Sequence, residues 1–117
     1  MEAASRGAAE AGGEVIGILP GEDPAEANRY CTRVVATGTG HARNLAVVAS
    51  ADAVIAIAGE WGTLSEIAFA RRLGRPVVTL GSWRVAGVGA MEDAPGVEAA
   101  ADPGAAVQVA LQRLERR

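Results

Sequence analysis

Apolar positions along the chain follow two patterns, which predict alternating strands and helices. Short continuous runs of β-branched and small apolar residues are typical of strands buried on both faces of a parallel sheet. They predict strands at 14–20, 32–37, 53–58, 76–81 and 97–100. Apolar residues that return every three or four positions predict helices at 1–12, 45–50, 64–73 and 103–114. This alternation implies βαβ units, so we expect a three-layer α/β domain with a mainly parallel sheet.

A glycine turn between the third strand and the third helix is the strongest candidate for a ligand site. The stretch Gly59-Glu60-Trp61-Gly62-Thr63 connects them, and such a turn aims backbone N–H groups and a positive helix end at an anion. Gly59 and Gly62 allow close approach of a ligand, and the amides of Gly62 and Thr63 with the Thr63 hydroxyl can hold a phosphate. The alternative is a plain strand-to-helix turn that needs glycine for positive φ.

Two residues near this turn have more than one interpretation. Thr63-Leu64-Ser65-Glu66 fits a capping box, in which Glu66 bonds back to the cap amide. Glu66 is equally suited to act as a general acid or base at the edge of a pocket. Trp61 either stacks on a base or packs over the start of the helix.

A second glycine loop, Gly38-Thr39-Gly40, precedes the second helix. It is half of a dinucleotide fingerprint, because the third glycine of G-x-G-x-x-G falls on Arg43, so a classical NAD site is not predicted. Arg43 is placed to bind a phosphate or carboxylate in bidentate fashion, or else to lie in solvent. His41 is either a surface residue at the helix start or a catalyst.

Composition narrows the function classes. The length of 117 residues predicts a single domain, 1–117. The chain contains no lysine, which excludes a pyridoxal Schiff base and a G-x-x-x-x-G-K-[ST] phosphate loop. A net charge of −3 with no basic cluster longer than a pair argues against nucleic acid as a partner.

The hydropathy pattern indicates a cytoplasmic protein. No apolar run reaches about 18 residues, and the N-terminus lacks a secretory apolar segment, so no membrane partner is predicted. Cys31 is the sole cysteine and has no ligand-spaced Cys or His nearby. We expect a buried or half-buried Cys31 and no metal site.

Four stretches within residues 1–81 combine into one recognisable pattern: Glu2-Ala3 followed by Gly12-Gly13-Glu14-Val15-Ile16-Gly17-Ile18-Leu19-Pro20, Ala42-Arg43-Asn44, Ser50-Ala51-Asp52-Ala53-Val54-Ile55-Ala56-Ile57 and Gly62-Thr63-Leu64-Ser65-Glu66-Ile67. In these stretches the chain resembles the Rossmann-like LOG family, formerly misnamed lysine decarboxylase-like, which includes molybdenum cofactor carrier-like proteins. The carrier branch typically has the motifs S-D-A-V-I-A and G-T-L-S-E-I-A, and residues 50–56 and 62–68 of this chain are most similar to that branch.

The resemblance implies a phosphorylated, nucleotide-like ligand. It places Gly59, Gly62 and Thr63 on the phosphate. Gly38 and Gly40 of the second glycine loop are further candidates for binding the ligand. In the family's phosphoribohydrolases, which release a base from a nucleoside 5′-monophosphate, the matching glutamate and arginine are catalytic. Those roles would fall on Glu66 and Arg43.

The chain departs from the family pattern at two places. The family motif P-G-G-x-G-T-x-x-E has Ala58 in place of its proline and Glu60 in place of its second glycine. A carboxylate then stands where a phosphate approaches, and its repulsion has to be relieved by turning outward. The family also begins with a βαβ unit that precedes the position of Met1, so we expect a domain truncated at its N-terminus.

Three functions follow as hypotheses. The first is binding of the ligand with hydrolysis of its N-glycosidic bond. The second is a carrier that holds the molybdenum cofactor or a nucleotide without turnover, with no other cofactor. The third is an inactive remnant that serves oligomerisation. An exposed sheet edge and an Ala/Leu-rich helical surface predict a homodimer or a higher homo-oligomer.

Overall fold

The computed structural model describes residues 1–89 and 92–116, and in that part of the chain it contains four α-helices and five β-strands. The helices are α1 (Glu2–Glu10), α2 (Arg43–Ala49), α3 (Trp61–Arg72) and α4 (Pro103–Glu115). The strands are β1 (Ile16–Leu19), β2 (Arg33–Ala36), β3 (Val54–Ile57), β4 (Val77–Leu80) and β5 (Val97–Ala100). Single turns of 3₁₀-helix lie at Pro24–Glu26 and Gly40–Ala42. Each predicted strand is present: β1 to β4 are one or two residues shorter at each end than predicted, and β5 has the predicted bounds.

The strands form two parallel sheets, each within one of two compact units, Met1–Arg43 and the chain from Asn44 onward. In the first unit β1 pairs with β2, and Ile16 lies opposite Arg33. In the second unit the strand order is β3-β4-β5, with Val54 opposite Val77 and Val77 opposite Val97. The predicted α/β class with parallel strands is confirmed.

The second unit has three layers because its central strand is buried on both faces. Val77 and Val78 are neighbours on β4 and point to opposite faces, yet each is only 1% exposed. On one face lie Val48 of α2, Ala56 of β3, Ile67 and Ala70 of α3, and Val97 of β5. On the other face Val78 packs with Ala106 and Ala110 of α4. This double burial holds α3, and therefore its first turn, against the ends of β3 and β4.

In the first unit, hydrogen bonds join the segments just before β1 and β2. Thr32 receives a hydrogen bond from the Val15 amide at 2.8 Å and donates to the Val15 carbonyl at 3.0 Å. No residue of helix α1, Glu2–Glu10, is buried. It ends before Gly12, which has φ +82°, as the glycine pair predicts. Cys31 is half-buried, as predicted, and packs closely against Gly17.

The capping-box prediction for Thr63 and Glu66 is wrong. The cap residue of α3 is Glu60, in an extended conformation, and Thr63 is already the third helical residue. The first helical hydrogen bond runs from the Leu64 amide to the Glu60 carbonyl at 3.2 Å. The helix therefore begins at Trp61 instead of Leu64, and Glu66 lies too far along it to bond the cap amide.

Among the described residues, no helix is long and apolar enough to cross a bilayer. Within the same residues, no group of three or more His, Cys, Asp or Glu side chains has the arrangement of a metal site.

Candidate functional site

The turn after β3 has positive φ at two successive residues. Ala58 has φ +51°, which is unusual for a residue with a Cβ, and Gly59 has φ +139°, a region reserved almost entirely for glycine. Ala58 also donates its amide to the Leu80 carbonyl of the neighbouring strand end at 3.2 Å. A proline, which the family motif has at position 58, is confined to φ near −65° and has no such donor. The conformation of this turn therefore requires a residue other than proline at position 58.

Gly59 leaves room for the side chain of Thr63. A Cβ placed on Gly59 would lie 2.8 Å from the Thr63 Cβ and 3.1 Å from its Oγ1. The Thr63 side chain therefore folds back against the glycine and holds its hydroxyl beside the turn. The spacing of Gly59 and Thr63 in the sequence thus has a direct steric reason.

The first turn of α3 presents backbone donors with no intrahelical acceptor. The amides of Gly62 and Thr63 are the second and third of this 12-residue helix, and N–H groups at these positions have no helical partner. The positive end of the helix dipole adds to their attraction for an anion. Glu60 precedes them, makes no side-chain cap bond and is exposed, so its carboxylate extends into water.

A polar network fixes this turn from α2. The Asn44 amide, only 7% exposed, donates to Ser65 Oγ at 3.3 Å, and Ser65 Oγ donates to the Gly62 carbonyl at 2.6 Å. A Cβ on Gly62 would lie 3.4 Å from the Asn44 side-chain nitrogen. Sequence reasoning assigned no role to Asn44 or Ser65. In the sequence, the two residues stand out only because they lie in the stretches Ala42-Arg43-Asn44 and Gly62 to Ile67, which resemble the LOG family.

Replacing Asn44 with alanine is expected to lower the free energy of unfolding by about 1–2 kcal/mol, the cost of losing a buried hydrogen bond. The matched control is Gln108→Ala on the exposed face of α4, for which we expect a change within about 0.5 kcal/mol. Urea unfolding followed by circular dichroism measures both. Equal stability of the two variants would show that the network does not fix the turn.

Two tryptophans cover one side of the turn. Trp83 donates its ring N–H to the Glu60 carbonyl at 2.9 Å. Its ring packs on that of Trp61, with centroids 5.0 Å apart and planes tilted by 35°. Trp61 remains 75% exposed, so it is not buried in the core. Trp83 was placed by the sequence only in an irregular loop, because no local pattern predicts which backbone group a loop indole reaches.

Glu66 lies in the second turn of α3 and is half-buried. It precedes Ile67, whose side chain is 2% exposed in the core. Four of the predicted site residues, Gly59, Gly62, Thr63 and Glu66, are therefore brought together by one turn and the helix that follows it.

The other predicted residues belong to the first unit. Arg43 donates from Nη1 to the Ile18 carbonyl of β1 at 3.1 Å. Its Nε is buried, with no hydrogen-bond partner in the described part of the chain, so Arg43 is not a solvated arginine. Gly38 and Gly40 have φ of +64° and +60°. Their amides donate to the carbonyls of Gly21 and Pro20, both at 2.9 Å, so a phosphate would have to compete for these donors.

Comparison with known proteins settles the family. The family model described as the SLOG cluster4 family matches residues 1–107. The chain belongs to the SLOG cluster4 family. This membership confirms the predicted resemblance.

Solved structures give the same fold for this SLOG cluster4 chain. The molybdenum cofactor binding protein of the phototrophic bacterium Rippkaea orientalis superposes with a TM-score of 0.85 at 32% identity, covering 97% of this chain and 71% of that one. A molybdenum cofactor carrier protein of Chlamydomonas reinhardtii gives a TM-score of 0.82 at 34% identity, covering 100% and 72%. The Rossmann-like, carrier-type fold is thereby confirmed.

A curated relative from Archaeoglobus fulgidus, an uncharacterized protein, is 44% identical over 80 residues. The match covers 68% of this SLOG cluster4 chain and 52% of the relative. The chain thus spans about half the length of that protein.

Proposed function

We propose that this chain binds a phosphorylated pterin of the molybdenum cofactor type and holds it without turnover. The observation that carries the proposal is the likeness, at a TM-score of 0.85 and 32% identity, to a protein described as a molybdenum cofactor binding protein. A second similar structure is described as a carrier of the same cofactor. The cofactor is thus cargo for the protein.

The glycine turn offers what the phosphate of such a cargo requires. In this proposal the phosphate lies against the first turn of α3 and accepts hydrogen bonds from the amides of Gly62 and Thr63 and from the Thr63 hydroxyl. Gly62 supports this because only backbone lies there, so an oxygen can approach the amides. The helix dipole favours the charge.

Glu60 moderates the affinity of this site for an anion. Its exposed carboxylate lies at the cap of α3, where it is itself attracted by the positive helix end and repels a phosphate. A carrier has to release its cargo as well as bind it, and a modest repulsion favours release.

Hydrolysis of a nucleoside 5′-monophosphate stays a prediction. In that scheme Glu66 supports proton transfer or the developing ribosyl cation, and Arg43 holds the phosphate. We favour the carrier because the similar structures are described by the cofactor they bind or carry and because the Arg43 guanidinium already donates to Ile18. The roles of Gly38 and Gly40, the homo-oligomer and the cytoplasmic location likewise stay predictions.

A retention assay tests the proposed function. Molybdenum cofactor is released from a molybdenum enzyme under reducing, anaerobic conditions and incubated with the full chain. The mixture is passed over a sizing column, and the retained pterin is oxidised and quantified by fluorescence. We expect Gly62→Ala to weaken retention by more than about tenfold, because the added Cβ, 3.4 Å from the Asn44 side-chain nitrogen, narrows the space beside the Gly62 and Thr63 amides. We expect Glu60→Gln to strengthen retention about twofold to fivefold.

The control is Gly7→Ala on α1, where an added Cβ has nothing within 4 Å; it should retain cofactor like the wild type. Undiminished retention by a folded Gly62→Ala variant would show that the phosphate does not bind at this turn. Release of adenine from AMP by the wild type but not by Glu66→Gln would overturn the carrier in favour of the hydrolase.

A further inference from the structure

A cavity of about 230 Å³ lies at the carboxyl ends of β4 and β5, within the second unit. Its walls include Thr79 of β4, Ala99 of β5, and Ser82, Trp83 and Val85 of the segment that follows β4. Thr79 and Ala99 are opposite each other in the parallel register, so they lie on the same face of the sheet, the face that α3 covers. We call this space the β4–β5 cavity. None of the residues predicted from the sequence as ligand-binding lines it.

One side chain in the wall of the β4–β5 cavity, Ser82, has a polar group without a partner in the described part of the chain. Ser82 Oγ is buried and has no hydrogen-bond partner in residues 1–89 and 92–116. Buried hydroxyls are almost always paired, because leaving one unpaired is costly. Thr79, which is 5% exposed, contributes a second hydroxyl-bearing side chain to the same wall. A ligand that brings an N–H or C=O group supplies the partner that Ser82 Oγ lacks.

The charges at the β4–β5 cavity cancel. Arg84 and Asp93 both line it and form an ion pair with each other at 3.0 Å, with side chains 79% and 56% exposed. The other described residues that line the cavity are neutral, and Trp83 adds a flat aromatic surface. These walls favour an uncharged, planar group with polar edges over an anion.

The size of the cavity fits part of a ligand. Pockets that enclose a drug-sized molecule measure roughly 300–1,000 Å³, and this one is smaller. Trp83 connects it to the glycine turn, since the residue that lines the cavity also donates to the Glu60 carbonyl and packs on Trp61. A ligand with its phosphate at the turn can therefore reach the cavity along the same tryptophan.

We propose that the β4–β5 cavity is the subsite for the uncharged fused-ring heterocycle of the cargo, with Ser82 and Thr79 bonding its polar edge and Trp83 packing against its plane. This assignment rests on the proposed function, because it divides one ligand between the turn and the cavity. It makes Ser82 a specificity-determining residue, since a buried hydroxyl rejects rings that cannot pair with it.

The test uses 6-hydroxymethylpterin, a fluorescent pterin with no phosphate, and the full chain. Saturable binding by the wild type is expected. Ala99→Leu should weaken it by more than about tenfold because leucine fills the cavity, whereas Ala101→Leu, an exposed alanine two residues further on, should leave it unchanged. Ser82→Ala should weaken it about fivefold, the loss of one neutral hydrogen bond, while urea unfolding shows the free protein to be no less stable than the wild type.

Equal pterin binding by Ala99→Leu and Ala101→Leu, or no binding by the wild type, overturns the subsite. Undiminished binding by Ser82→Ala also does so, because it shows that no ligand atom pairs with this hydroxyl. The proposed function fails separately, when the wild type retains no molybdenum cofactor. Retention of the cofactor by both wild type and Ala99→Leu would support the carrier function and show that the β4–β5 cavity does not bind the cofactor.

Discussion

Replacing Gly59 with alanine is expected to lower the free energy of unfolding by about 2–4 kcal/mol. A φ of +139° is strained for any residue with a Cβ, which costs about 1–3 kcal/mol. The new methyl group also meets the Thr63 Cβ at 2.8 Å, and relieving such a contact by shifting backbone costs about 1–3 kcal/mol more. Urea denaturation measures the loss: the midpoint should fall, while the dependence of the free energy of unfolding on urea concentration stays the same as in the wild type.

Gly62→Ala is the matched control for Gly59→Ala. Gly62 lies inside the first turn of α3 and a Cβ there makes only an ordinary 3.4 Å contact, so we expect no loss of stability and a gain of up to about 1 kcal/mol from the better helix propensity of alanine. The pair therefore separates the two glycines, the first required for folding of the turn and the second for ligand access. Similar stability losses in both variants would contradict this division.

Replacing Ile67 with alanine is expected to cost about 2–5 kcal/mol. Ile67 is 2% exposed and packs with Val48, Ala56 and Val77, so its truncation removes buried methyl groups and leaves a cavity between α3 and the sheet. Since single domains are stable by only about 5–15 kcal/mol, the variant should unfold at a much lower urea concentration.

Leu111→Ala on α4 is the control for Ile67→Ala. Leu111 is 56% exposed, so its truncation should change stability by no more than about 0.5 kcal/mol. Similar losses for both substitutions would mean that α3 is not held to the sheet through Ile67.

The strands and most helix ends could be predicted because they depend on local chemistry. The run from Val77 to Leu80 is β-branched or leucine at every position, which suits a strand buried on both faces. Gly74 has φ +74° just after α3, and this is the conformation that makes glycine a helix terminator. Both signals lie within a few residues of the feature that they predict.

The start of α3 could not be predicted because its determinants are distant. Glu60 is held extended while its carbonyl accepts the Trp83 indole, 23 residues away. The apolar spacing begins only at Leu64, so the pattern missed the turn of helix that contains Trp61, Gly62 and Thr63.

The candidate site could be predicted in part for the same reason. The glycines and Thr63 are adjacent in sequence, so their turn was visible. Asn44 reaches Ser65 across 21 residues, and Ser82 lines a cavity in a segment without periodicity. Such contacts depend on how strands and helices pack, and no spacing along the chain reveals them.

The most direct test of the central claim is recovery of intact cargo. The wild-type chain is loaded with molybdenum cofactor, separated from free cofactor on a sizing column, and then mixed with a molybdenum enzyme that lacks its cofactor. The account predicts that pterin co-elutes with the chain in saturable amounts and that the enzyme regains activity, since the cofactor is held and released unchanged. Elution of the chain without pterin, or pterin that no longer activates the enzyme, would contradict it.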